Sequence, residues 1–186
     1  MPHISVTPPE AADGAVAEMY TRLKGKGTKI PDYALLFSHN PALMNHWADM
    51  LASIKSGLDN AEFLLANLAV AQAIDSYACQ TAFSKRLLRT GFSRAQLDAI
   101  LNGNRASVLT KRQLHIFDFA VKIACDSANV DAEDTDALRE HGLGDSEIFH
   151  LAAAASSRCF FARLCDGLGA TARSKSPPLP KNLAER

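Results

Sequence analysis

The sequence has few cysteines and none of the pairings that would give them a ready function. Cys79, Cys125, Cys159 and Cys165 include no Cys-x-x-Cys and no Cys/His cluster with zinc-finger spacing, so no metal and no cofactor is expected. Cys159 and Cys165 lie six residues apart, about 240° around a helix, and one helix cannot bridge them. Mostly free thiols in a reducing, cytoplasmic compartment are the expectation. Charge of either sign is not in surplus: 20 Lys+Arg meet 20 Asp+Glu. Nucleic-acid binding, which draws on a basic surplus to displace counterions, is therefore not expected. No apolar run reaches the roughly 20 residues of a membrane span, because Asn67 and Gln72 interrupt the richest stretch, Phe63 to Ile74. The first ten residues have neither the basic start nor the apolar centre of a signal peptide. The Gly/Lys run Lys24 to Lys29 does not complete a phosphate-loop pattern, and no strand precedes it. Runs of alternating β-branched residues are missing as well.

Helical signals are plentiful. Thr7-Pro8-Pro9-Glu10 offers a helix start ahead of the stripe Val16, Met19, Tyr20 and Leu23. Pro41 opens a long helix with Leu43, Met44, Trp47, Met50, Leu51 and Ile54 on one stripe, stopped by Gly57. Asp59 to Glu62 caps a helix that is apolar on most of its circumference, the pattern of a helix in the middle of a bundle. Ser93-x-x-Gln96 and Thr110-x-x-Gln113 are capping boxes. Asp131 to Glu140 is a short acidic helix, and a last long helix runs from Asp145 or Ser146 to about Gly167. The expectation is an all-α domain of about eight or nine helices over residues 1–170. Residues 171–186, Pro-rich and charged, form an extended or disordered tail. Gly91-Phe92-Ser93 and Gly142-Leu143-Gly144 each follow a helix and precede another, either as a faint repeat or as shared turn chemistry.

One segment has the makings of chemistry. The buried helix ends at Asp75-Ser76, and Cys79 falls on the first turn of the next helix. Unpaired backbone N–H groups there favour a thiolate. Ser76, three residues earlier, can hydrogen-bond to the sulfur, and Tyr77 and Gln80 keep the surroundings polar. The bland reading is equally physical: a free cysteine next to Ala78, Ala82 and Phe83 can simply fill space.

From Pro31 through Ser38-His39-Asn40-Pro41-Ala42-Leu43 and Trp47, Leu58, Gly91-Phe92-Ser93-x-x-Gln96-Leu97 and Phe117-Asp118-Phe119-Ala120, to Leu138-Arg139-Glu140-His141-Gly142-Leu143 and Phe160 to Gly169, the chain resembles the AhpD-like, or carboxymuconolactone decarboxylase-like, proteins. It is most similar to their peroxidase-related branch, and the likeness spans most of residues 10 to 170. The resemblance implies an AhpD-like bundle and a homo-oligomer, commonly a trimer or hexamer. In the peroxidase-competent members, a Glu stands twelve residues ahead of Cys-x-x-Cys-x-x-x-His, and the motif reduces peroxide through a cysteine pair. On this chain the second cysteine is Cys79. Ser76 holds the place of the first, Phe83 that of the His and Leu64 that of the Glu. Glu62 lies about 200° around the helix from position 64 and suits a cap with Asp59 better.

Other acid–base groups are available in His115, His150 and His39, none of which the sequence places near Cys79. Arg158 and Arg163 can orient a carboxylate substrate or serve a surface or subunit interface. Three functions follow as expectations. The first is a diverged alkylhydroperoxidase-type oxidoreductase with Cys79 as its single reactive thiol and a small-molecule substrate or thiol reductant as partner. The second is a cofactor-free decarboxylase or isomerase of a small carboxylate or lactone. The third is a catalytically silent helical oligomer that binds a ligand or partner.

Overall fold

The computed structural model describes residues 2–24 and 30–170. The rest of the Gly/Lys run and the Pro-rich tail lie outside the described residues. Among those described there is no strand, and nine α-helices follow in order: α1 Gly14–Lys24, α2 Asp32–Leu36, α3 Pro41–Ser56, α4 Asn60–Ala73, α5 Tyr77–Leu87, α6 Arg94–Leu101, α7 Lys111–Asp126, α8 Ala132–Glu140 and α9 Asp145–Gly167. The all-α expectation holds, and so does its helix count.

Most boundaries are set by the local chemistry anticipated for them. Ser93 and Gln96 form a reciprocal capping box at α6, as do Thr110 and Gln113 at α7, satisfying N–H groups that an isolated helix start leaves open. Asp131 and Asp134 do the same for α8. At the end of α8, Gly142 takes a left-handed φ of 83°, and Leu143 N–H reaches the Leu138 carbonyl at 3.1 Å. This bond satisfies a late carbonyl and turns the chain into α9. Gly91 is left-handed too, with φ of 99°. The similarity of the two Gly segments is thus at least a similarity of turn.

The first helix starts later than its sequence suggests. Pro9–Ala11 is only a 3-10 turn, without a side-chain cap, and α1 begins at Gly14. Thr7 is used elsewhere: its N–H donates to Ser38 Oγ at 3.1 Å, and its carbonyl accepts from Tyr20 Oη at 2.6 Å.

The contacts divide the described chain into two units, residues 2–24, 30–53 and 163–170 in one and residues 54–162 in the other. The first is built around Met19, Tyr20, Ala34, Leu36, Phe37 and Met44. Burial pushes the Tyr20 phenol upward, opposed by its hydrogen-bonding relation to Ser38. The second is centred on α4, which packs against α5 and α7. Every residue of α4 from Phe63 to Ala71 is buried, as the all-round apolar pattern requires.

Candidate functional site

The α4–α5 joint positions the site. Ile74 closes α4 and Asp75 takes a left-handed φ of 54°, a conformation that aspartate tolerates better than most residues. This reversal lets Ser76 N–H return to the Ala71 carbonyl at 2.9 Å. Gln80 Nε2 reaches the same carbonyl at 3.2 Å. The start of α5 is thereby pinned to the end of α4. Ser76, Cys79, Gln80 and Phe83 are buried along one face of α5, while Tyr77 is turned outward and 40% exposed.

A cation comes to this face from far along the chain. Arg158 of α9 is only 4% exposed. Its Nη1 donates to Cys79 Sγ at 3.9 Å, and its Nε donates to Asn67 Oδ1 at 2.8 Å. Asn67 is oriented in turn by Nδ2 donating to the Phe63 carbonyl at 2.7 Å. The guanidinium carbon sits 4.5 Å from the Phe83 ring centroid and 5.3 Å from that of Phe161. Two aromatic faces, an amide oxygen and a sulfur therefore surround the cation. A guanidinium does not give up its proton in a protein, so Arg158 can hold negative charge but cannot relay protons as an imidazole does.

Two hydroxyls on the same helix stand apart. Ser76 Oγ and Ser84 Oγ are buried without a hydrogen-bond partner among the described residues, and both residues are 0% exposed. Ser76 occupies the N-cap position of α5 yet makes no capping hydrogen bond.

The other residues singled out in the sequence go to separate places. Leu64 is buried within α4. His115 stacks on His141, with centroids 4.4 Å apart. His150 shares its Nδ1 with the Ser146 carbonyl at 2.7 Å. His39 lies in the other unit, with Nε2 2.7 Å from the Ser5 carbonyl, at an apolar cleft of about 170 Å³ that Ile4, Leu43 and Leu168 also line. None of the three histidines hydrogen-bonds to Cys79 or stacks against it. Arg163 is exposed, unlike Arg158.

Glu62 differs from its expected role. Asp59 caps α4 through the N–H groups of Ala61 and Glu62, but the Glu62 carboxylate pairs with Arg112 through two bonds of 2.6 and 3.0 Å. That pairing holds the Arg112 guanidinium further above its usual range. Arg112 also donates to the His141 carbonyl at 3.0 Å and to Glu147 at 3.3 Å, tying α4, α7 and α9 together. The role of Glu62 is structural bracing.

Asn67 is the residue that sequence reasoning passed over. It counted only as an interruption in an apolar stretch. A single polar side chain in the middle of an all-round buried helix was the signal, since burial without a partner is costly.

This architecture is that of the AhpD-like proteins. The solved core of a peroxidase-related AhpD protein from Ralstonia eutropha JMP134 superposes with a TM-score of 0.79 at 21% identity, over 91% of this chain and 91% of that one. A peroxidase-related protein from Silicibacter sp. TM1040 gives 0.72 at 19% identity, over 90% of this chain and 87% of that one. A cysteine-to-alanine variant of the debrominase Bmp8, solved with 2,3,4-tribromopyrrole, also gives 0.72, at 15% identity over 92% and 93%. Residues 41–122 match the carboxymuconolactone decarboxylase family model, so the family segment takes in α3 to most of α7 and includes Cys79. No curated protein matches the sequence.

Proposed function

We propose that this protein is a peroxidase-related oxidoreductase that works through one thiol, Cys79. The observation that carries this reading is the buried guanidinium of Arg158 donating to Cys79 Sγ at 3.9 Å. A fixed cation at a sulfur on the first turn of a helix is an environment in which cysteines act as nucleophiles. The family segment and two of the similar folds support the same class. Cys79 thiolate attacks the terminal oxygen of a hydroperoxide; an S–O bond forms, the O–O bond breaks, and the departing alkoxide takes a proton from water. One equivalent of an external thiol then converts the sulfenic acid to a mixed disulfide and water. A second equivalent releases Cys79 and leaves with the first as a disulfide. Ser76 at the first-cysteine position cannot form the family disulfide, so both reducing equivalents come from outside.

Peroxide consumption in the presence of a small thiol tests this reading. Cys79→Ser should fall to the uncatalysed rate; a variant as fast as the wild type would overturn it. The second reading, a cofactor-free decarboxylase or isomerase, draws on the same Arg158, whose fork matches a carboxylate. It predicts turnover of a small carboxylate or lactone that survives Cys79→Ser and fails in Arg158→Met. A folded chain inactive in both assays would leave the ligand-binding oligomer. We further read the protein as a cytoplasmic homo-oligomer, a trimer or hexamer. Four cysteines with no disulfide among them suit a reducing compartment, and the exposed Phe149 and Phe160 suit a subunit contact.

A further inference from the structure

We propose that Ser76 and Arg158 together bind the oxygen that a peroxide leaves on Cys79, so that the oxidised protein is a persistent single-cysteine sulfenic acid. The inference rests on the peroxidase-related reading and adds the fate of the oxidised sulfur and the residues that hold it.

Three observations carry it. Ser76 Oγ is wholly buried and has no hydrogen-bond partner among the described residues, a state that costs free energy unless the hydroxyl meets a partner at some stage of the cycle. Ser76, the N-cap of α5, and Cys79, in its first turn, are three residues apart and both buried. On the sulfur itself, Arg158 already donates from Nη1 and is anchored by Asn67 and two phenylalanine faces, so it needs no rearrangement to meet an oxygen added there. One charged donor thus already meets a sulfur that is only 7% exposed, and an unpartnered, buried neutral donor lies three residues away.

The position three residues before Cys79, where the peroxidase-competent proteins carry a second thiol, holds Ser76. Cys125 is exposed, and its thiol donates to the Ala73 carbonyl at 3.8 Å. Cys159 and Cys165 belong to α9, and none of the four cysteines is in a disulfide. Phe83 stands where an imidazole could have helped a resolving thiol. Oxidation therefore stops at Cys79–SOH: the sulfur gives two electrons to the O–O bond, keeps one oxygen and awaits an external thiol.

The test is oxidation of the full chain with one equivalent of hydrogen peroxide, trapped at intervals with a dimedone-type probe and read by mass spectrometry of the Cys79 peptide. The wild type should hold the label-competent sulfenic acid long after the peroxide is spent. When a second equivalent of hydrogen peroxide is then added as the oxidant, Ser76→Ala should convert its sulfenic acid to sulfinic acid at least about fivefold faster than wild type. Ser84→Ala removes the second orphan hydroxyl of the same helix and should keep the wild-type lifetime, which separates an effect on the sulfur from one on packing. Arg158→Met should shorten the lifetime as well, with Arg158→Lys restoring part of it. An equal lifetime in Ser76→Ala and wild type would overturn the inference and leave the peroxidase reading intact. So would a stoichiometric disulfide between Cys79 and Cys125, Cys159 or Cys165. Failure of Cys79 to oxidise at all would overturn both.

Discussion

Asn67 carries two obligations on one side chain, and each is visible in its bonds: Nδ2 serves the Phe63 carbonyl and Oδ1 receives Arg158. Replacing it with alanine removes both and opens a void in a fully buried helix, with an expected loss of about 2–4 kcal/mol. Chemical denaturation would measure that loss. The same variant frees Arg158 from its anchor, so iodoacetamide labelling of Cys79 at neutral pH should slow relative to wild type. Unchanged stability together with unchanged labelling would count against the cluster as a unit. At this scale the sequence revealed only half the site. Ser76, Cys79 and Phe83 sit on one helix, where spacing alone puts them on one face. Arg158 and Asn67 are 91 residues apart, and no periodicity links them. The sequence left Arg158 open between a substrate-binding and a surface role because burial of a charged residue depends on partners elsewhere in the chain.

At the level of elements, short-range chemistry carried further. Capping boxes and glycine stops are written within four or five residues, so the starts of α6, α7 and α8 and the end of α8 follow from them. Thr7 and Glu62 went differently because their side chain or backbone is taken by a residue outside that window. Close approach between elements shows at Gly57: a Cβ there would stand 2.5 Å from ring atoms of His150. Gly57→Ala should therefore destabilise the protein by about 1–3 kcal/mol, and adding His150→Ala should recover part of that loss, a coupling that a double-mutant cycle would read. The α7–α8 contact has a pH signature. Lys122 Nζ lies 2.5 Å from Asp134 Oδ2; that hydrogen bond is the main cause holding the Asp134 carboxyl below its usual range, and it raises Lys122. A carboxyl depressed in the folded state stabilises above its unfolded pKa and loses that contribution as pH falls through the folded value. Lys122→Met should lower the melting temperature at about pH 7 and converge with wild type at about pH 2. A difference that persists undiminished in acid would mean the lysine acts through packing alone.

For the whole molecule, the telling feature is what α9 leaves uncovered. Phe149 is 69% exposed and Phe160 43%. Eleven residues separate them, close to three full turns, which puts them on one side of the helix with the exposed Ser156 between. The opposite side buries Leu151, Ala154, Ala155, Arg158 and Ala162, so α9 presents two phenylalanines on a face that the described residues leave uncovered. Fully burying a phenylalanine is worth about 1.5–3 kcal/mol, and the part still exposed on these two is what a symmetric association can draw on when each subunit contributes both. Light scattering at micromolar concentration should give a mass of at least three chains. The pair Phe149→Glu and Phe160→Glu places charges where the contact would form and should bring the mass to that of one chain, with the far-ultraviolet helical signal unchanged. Cys79 labelling in that variant separates assembly from chemistry: the rate should stay near wild type, because Arg158, Asn67 and Phe83, which hold the sulfur's surroundings, belong to the same chain as Cys79. A wild-type monomer would remove the role assigned to the two phenylalanines, and a full-size assembly in the double variant would move the interface elsewhere.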